Sequence, residues 1–168
     1  MRNLIVRSAV LFVALAATAC DRHTVGPTSP TTTFSTQAMT GAAATSLSVT
    51  PTTLTTQPVA NPSCPAVPPF NVPFQLFVQA GDLSTSITNI TMQFGDRLGV
   101  QMPPVTLPAP ALTAQFGSML VQARSVVTLP LSLSIGCGTG LPGTLVVIVS
   151  TRDTHGFVGS SQVSVSVH

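Results

Sequence analysis

The residues of this chain that could do chemistry are few. Asp153 and His155 stand two apart, with Ser160 and Ser161 shortly after them, which are the residue types of a Ser-His-Asp nucleophilic set. Such a set needs hydroxyl, imidazole and carboxylate linked in one hydrogen-bonded series. An Asp and a His two apart in one tight turn do not favour that geometry, and no G-x-S-x-G supplies a nucleophile elbow. Paired-carboxylate glycosidase chemistry needs two acids, one with a raised pKa. The candidates are Asp82, Asp96 and Asp153, each beside a glycine or another turn residue, where a carboxylate serves turn geometry. No catalytic residue is assigned, so the chain reads as a non-enzyme. A small secreted hydrolase built on Asp153 and His155 is the alternative.

Metal and ligand chemistry is as thin. Blue copper needs two His, one Cys and usually Met in a close cluster. Here Cys137 and His155 lie far apart, and no Met follows His155. A calcium site would require Asp82, Asp96 and Asp153 to converge at one end of the fold. No metal or cofactor is assigned, and a metal-binding periplasmic module remains a second alternative. Of the eight phenylalanines, Phe70, Phe74, Phe77 and Phe94 read as core, and Phe157 is the candidate for an exposed platform. Asn89-Ile90-Thr91 matches a glycosylation sequon but is most simply strand sequence.

The three cysteines say more about place than about reaction. Arg2 and Arg7 precede a short apolar run ending near Ala17, and Ala17-Thr18-Ala19 supplies small residues before Cys20. That layout is a secretory signal peptide over residues 1–19. Its apolar run is too short for a membrane span, which takes about 20 residues. An exported chain meets an oxidising compartment, so Cys64 and Cys137 are expected to pair, with two free buried thiols as the alternative. In the chain-entropy model a closed loop of about 70 residues contributes roughly 4 kcal/mol. Cys20 is then the odd cysteine. The stretch Ala17-Thr18-Ala19-Cys20 resembles a bacterial lipobox, and that resemblance implies acylation of Cys20 and anchoring to a membrane. Ordinary cleavage at A-x-A is the alternative.

With the leader gone, four arginines face four aspartates, and the chain has no lysine or glutamate. A domain without a basic surplus lacks the electrostatic footprint of a nucleic-acid binder and has no polybasic membrane patch. So few charges suggest a protein that tolerates self-association or is held at a surface. Residues 20–45 are rich in Thr, Ser, Pro, Gly and Ala and read as a flexible linker. About 25 such residues have an r.m.s. span near 25–30 Å.

From 46 to 168 the pattern is β. "SLSVTP" alternates and then breaks at Pro51. "FQLFVQA" (74–80) is bounded by Pro73, at the end of a proline-rich connection that carries Cys64. "SITNITMQF" (86–94) puts Ile90, Met92 and Phe94 on one face, and "PVTLP" and "ALTAQF" give two shorter strand candidates. "SVVTLPLSLSIG" places Val127, Leu129, Leu131, Leu133 and Ile135 on one face, with Pro130 on the other arguing for an edge or a bulge there. "GTLVVIVST" reads as a central strand buried on both sides. "SQVSVSV" reads as a strand suited to edge pairing, including with another molecule, and "RDTHG" as the hairpin turn between these two.

About seven short strands with turn chemistry between them argue for an all-β sandwich. The opening "LSVTPTTL" and the closing valine-alternating hairpin resemble bacterial immunoglobulin-like modules of cell-envelope proteins. That resemblance implies an envelope-anchored, non-enzymatic domain with a structural or adhesive, protein-binding role. Its partners would be the membrane, through the lipid, and an unidentified envelope protein.

Overall fold

The alternation seen in the sequence becomes two sheets that bury one face each against the other. The structure is a computed structural model that describes residues 44–60 and 69–168 in full and Phe34–Ser35 as backbone. Cys20 and Cys64 lie outside the described residues. The elements in chain order are β1 (Phe34–Ser35), β2 (Thr45–Thr50), β3 (Thr53–Leu54), β4 (Gln57–Pro58), β5 (Phe70–Ala80), β6 (Thr85–Asp96), β7 (Val105–Pro108), α1 (Ala109–Phe116), β8 (Leu120–Val121), β9 (Val126–Ile135), β10 (Gly143–Asp153) and β11 (Val158–Val167).

In one sheet β5 is central, with β2 and β4 following one another along one side and β9 along the other. In the second sheet β11, β10 and β6 run side by side. There β7 and β8 flank β6, while β1 and β3 flank β11. Consecutive strands β5 and β6 lie in opposite sheets, as do β9 and β10, yet β5 pairs with β9 and β6 with β10. These two crossings lock the layers together. The first strand is also split: β2 pairs antiparallel with β5, and after Pro51 the chain changes sheet so that β3 runs parallel to β11. The domain is an all-β sandwich.

Its core joins both sheets: Leu47, Val72, Leu76 and Val78 with Leu129 and Leu133 from one, Ile90, Met92 and Phe94 with Leu145, Val147 and Val163 from the other. Each such side chain taken out of water contributes about 1.5–3 kcal/mol, which offsets the ordering entropy of the strands. On β6 the inward parity changes after Ile87, because Thr88 is an extra residue where the β6–β10 register shifts. The Thr88 hydroxyl holds that bulge by donating to the Ser150 carbonyl oxygen (3.0 Å).

Three expectations need correction, and a fourth gains a structural context. The strand expected at 74–80 begins at Phe70 and runs through Pro73, which it tolerates for a local reason. Pro73 faces Ser132 and Pro130 faces Gln75, two pairs of the same kind in the β5–β9 ladder, so one parity spares both nitrogens a ladder bond. Pro73 falls where β2 has ended and β4 has not yet begun, and Pro130 lies on a strand whose other edge pairs with no described strand. Secondly, "ALTAQF" is helical. Pro110 sits in the first turn, where its missing N–H is no loss, and Gly117 closes the helix at φ 83°. Leu112 and Phe116, one turn apart, face inward against the core. Thirdly, β10 is not buried on both sides: Leu145, Val147 and Val149 are buried, whereas Val146 and Ile148 are half-buried on the outer face. Lastly, the edge of "SQVSVSV" already carries strands of this chain, Phe34–Ser35 opposite Val163 and Gln162, and Thr53–Leu54 opposite Ser166 and Val167.

Candidate functional site

Asp153 ends β10 and is buried, and its carboxylate serves the turn that follows. Its Oδ1 accepts the backbone N–H of His155 (2.9 Å) and of Phe157 (3.0 Å). The backbone closes the same turn, with Asp153 N–H donating to Phe157 O and Gly156 N–H to Asp153 O, both at 3.0 Å. Gly156 at φ 87° supplies the left-handed position this shape needs. The same device recurs after β6. Asp96 Oδ1 accepts from Leu98 N (2.8 Å) and Val100 N (2.9 Å), Asp96 N–H donates to Val100 O, and Gly99 sits at φ 81°. D-R-L-G-V and D-T-H-G-F are thus one turn motif used twice. The repeated Asp-x-x-Gly spacing was its sequence signal.

The hydrolase set is not assembled. Ser161 faces Val149, four positions along β10 from Asp153, or roughly 13 Å at strand rise. Its hydroxyl donates instead to the Thr45 carbonyl oxygen at 2.8 Å, tying β11 to β2 across the sandwich. Ser160 faces Ser150, three positions away. Nor do the acids converge. Asp96 lies opposite Gly143 at the far end of β10 from Asp153, about 33 Å away. Asp82 is exposed and paired with Arg124, whose guanidinium meets Oδ1 at 2.9 Å. Among the described residues no three His, Cys, Asp or Glu side chains come together in a metal-binding group.

The two ends of the sandwich differ in what they present. At one end lie Ala44 and the start of β2, the Gly81-Asp82 turn and the Asp153 turn; Gly81 N–H donates to Ala44 O at 2.8 Å. The chain therefore joins the domain from its N-terminal side at this end. At the opposite end are the Asp96 turn, the β9–β10 loop with Cys137, and the flanks of residues 61–68. There Leu98 is 77% and Val100 60% exposed, more than any other large apolar residue described. The turn forces this, because Asp96 draws both backbone N–H groups inward and the side chains point out.

Beside that turn is a cleft of about 390 Å3 lined by Pro58, Phe70, Leu141, Thr56, Thr139 and Arg97. Its floor is a packing device. The Phe70 ring meets Phe94 edge-on, centroids 6.2 Å apart at 78°, and joins the two sheets. The Phe94 ring in turn lies over Gly143, where a Cβ would overlap it and stand 2.6 Å from Gly95 O. Of the expected core aromatics, Phe70, Phe74 and Phe94 are buried and Phe77 is half-buried on the outer face. Phe157 is exposed as expected, at the end where the N-terminal segment joins.

No protein-family model matches this chain, and no curated protein matches it. Solved structures do resemble it. A Northeast Structural Genomics Consortium target superposes with a TM-score of 0.55 at 8% identity, covering 73% of this chain and 85% of that one. The putative ApaA protein from Bordetella pertussis gives a TM-score of 0.55 at 10% identity, covering 74% of this chain and 93% of that one. Identity this low speaks for the fold alone. No helix among the described residues is long and apolar enough to cross a membrane.

Proposed function

We propose that this is an exported, non-enzymatic envelope protein held by a lipid on Cys20, whose immunoglobulin-like domain binds another envelope protein through the end that carries Leu98 and Val100. One observation carries this reading: the N-terminal segment joins the sandwich at one end, while the most exposed apolar residues and the apolar cleft lie at the other. A domain tethered at one end presents the opposite end to its surroundings. Loops on a rigid scaffold are also where binding residues concentrate. The lipobox-like Ala17-Thr18-Ala19-Cys20 and the Thr/Ser/Pro-rich segment after it support the anchor. Structural use of Asp153 and Ser161 favours a binding role over hydrolysis.

The Cys64–Cys137 pairing belongs to the same proposal and would brace the binding end. Cys137 lies two residues past Ile135, which faces Phe70. Val59 N–H donates to Pro69 O at 2.8 Å, so both flanks of the segment containing Cys64 sit at that end of the sheet.

The test is site-specific photo-crosslinking in the native envelope, with the probe at Val100 or at Leu120, which is exposed near the opposite end. Val100 should capture a defined protein and Leu120 should not. Equal capture from both positions, or none from Val100, refutes the reading.

A further inference from the structure

The outer edge of β11 is the part of this surface that most needs an explanation. Backbone parity along the strand can be read from its two ends. At the turn Asp153 N–H donates to Phe157 O, and at the far end His168 N–H donates to Leu54 O (2.9 Å) and His168 O accepts from Thr56 N–H (3.1 Å). Odd-numbered residues of β11 therefore direct their backbone polar groups toward β10, and even-numbered ones direct theirs outward. That outward row runs along Val158–Val167, a strand with no charged residue and no proline. A long neutral edge of this kind is a template for strand addition unless something covers it. The other sheet protects its β9 edge with Pro130, in the parity that takes a donor off the edge. For β11 the cover is the chain itself. Thr53–Leu54 occupy Ser166 and Val167, and Ser35 stands opposite Gln162, whose N–H and C=O both point outward.

We propose that the outer edge of β11 around Gln162 is a strand-acceptor site and that Phe34–Ser35, from the N-terminal segment of the same chain, is its resident occupant. Two residue pairs form a short ladder, so the cover opens and closes without disturbing the sandwich, as weakly held elements do. In the closed state Phe34–Ser35 are docked partway along the sheet. In the open state the Gln162 backbone is offered to another extended strand, which adds by main-chain hydrogen bonding. This inference is independent of the lipid anchor and of the binding end, since it concerns only the backbone of residues 34–35 and 162–163.

The test is residue-resolved amide hydrogen exchange by NMR on the full-length chain, wild type and Ser35→Pro. Proline removes the donor that faces Gln162 and leaves the domain sequence intact. In the wild type the Gln162 amide should be protected at every protein concentration, and Ser35→Pro should lower that protection by about tenfold or more. The Val163 amide, bonded to β10, should not change, which shows that the variant remains folded. A Gln162 amide that exchanges in the wild type as fast as in Ser35→Pro overturns the proposal. Protection that appears only as concentration rises, together with a dimer that Ser35→Pro dissolves, overturns it too, since the occupant would then be a second copy.

Discussion

Replacing Asp153 and His155 separately distinguishes a turn from a reactive centre. In the hydrolase reading the imidazole is indispensable. In the structure His155 contributes its backbone N–H and the carboxylate of Asp153 does the holding. Asp153→Ala removes an acceptor, on a residue only 6% exposed, that takes two backbone N–H groups at 2.9 and 3.0 Å. Hydrogen bonds to a charged group are worth about 1.5–3 kcal/mol each. Water reaches His155 and Phe157, so the lower end applies to each bond, and the loss is about 3 kcal/mol. For a domain of this size that lowers Tm by about 9–15 °C. His155→Ala should stay within about 0.5 kcal/mol of the wild type. Asp153→Asn, which keeps the acceptor and loses the charge, should fall between. The assay is thermal unfolding followed by far-ultraviolet circular dichroism, since the chain has no Trp or Tyr for fluorescence. A stable Asp153→Ala, or a His155→Ala as damaging as Asp153→Ala, would refute this account of the turn.

Four further outcomes follow from the geometry. Gly143→Ala should cost about 3 kcal/mol in urea unfolding, because the new methyl meets both the Phe94 ring and the Gly95 carbonyl oxygen; an unchanged midpoint would show that the ring can move aside. Leu112→Ala, at a fully buried position on α1, should cost about 2–4 kcal/mol, whereas a loss below about 1 kcal/mol would mean the helix adds little to the core. Leu98→Ser should leave the unfolding midpoint in place and abolish capture by a probe at Val100; retained capture would move the binding surface elsewhere. Cys20→Ser should release the protein from membranes into the soluble fraction, and mass spectrometry should find no acyl chains; continued membrane association would refute the lipid anchor.

The comparison of β9 with α1 shows what could be read from residues and what could not. In β9 the alternation from Val127 to Ile135 is unbroken, and every second side chain from Leu129 is buried as the pattern requires, with Pro130 on an edge strand. Periodicity of two suffices there, because the burial is decided locally. For α1 the cues were Pro110 and Gly117, but eight residues are too few for a helical period to outweigh a reading as strand. The Asp153 turn was legible as a turn. The use of its carboxylate was not, because the two N–H groups it accepts are brought in only when the hairpin closes.

By itself the sequence determined the all-β class, the places of most of the long strands and the scarcity of reactive residues, since composition and alternation are properties of the chain. Tertiary structure decided which strand meets which, and so which residues share an end. Asp82, Asp96 and Asp153 look equivalent as turn acids in the sequence, yet pairing of β6 with β10 sends Asp96 to the opposite end from Asp153. The same pairing puts Leu98 and Val100 beside the cleft, and the split of the first strand sets β3 against β11. Contacts between residues a hundred positions apart, such as Ser161 with Thr45, arise from the packing of sheets and leave no local trace in the order of residues.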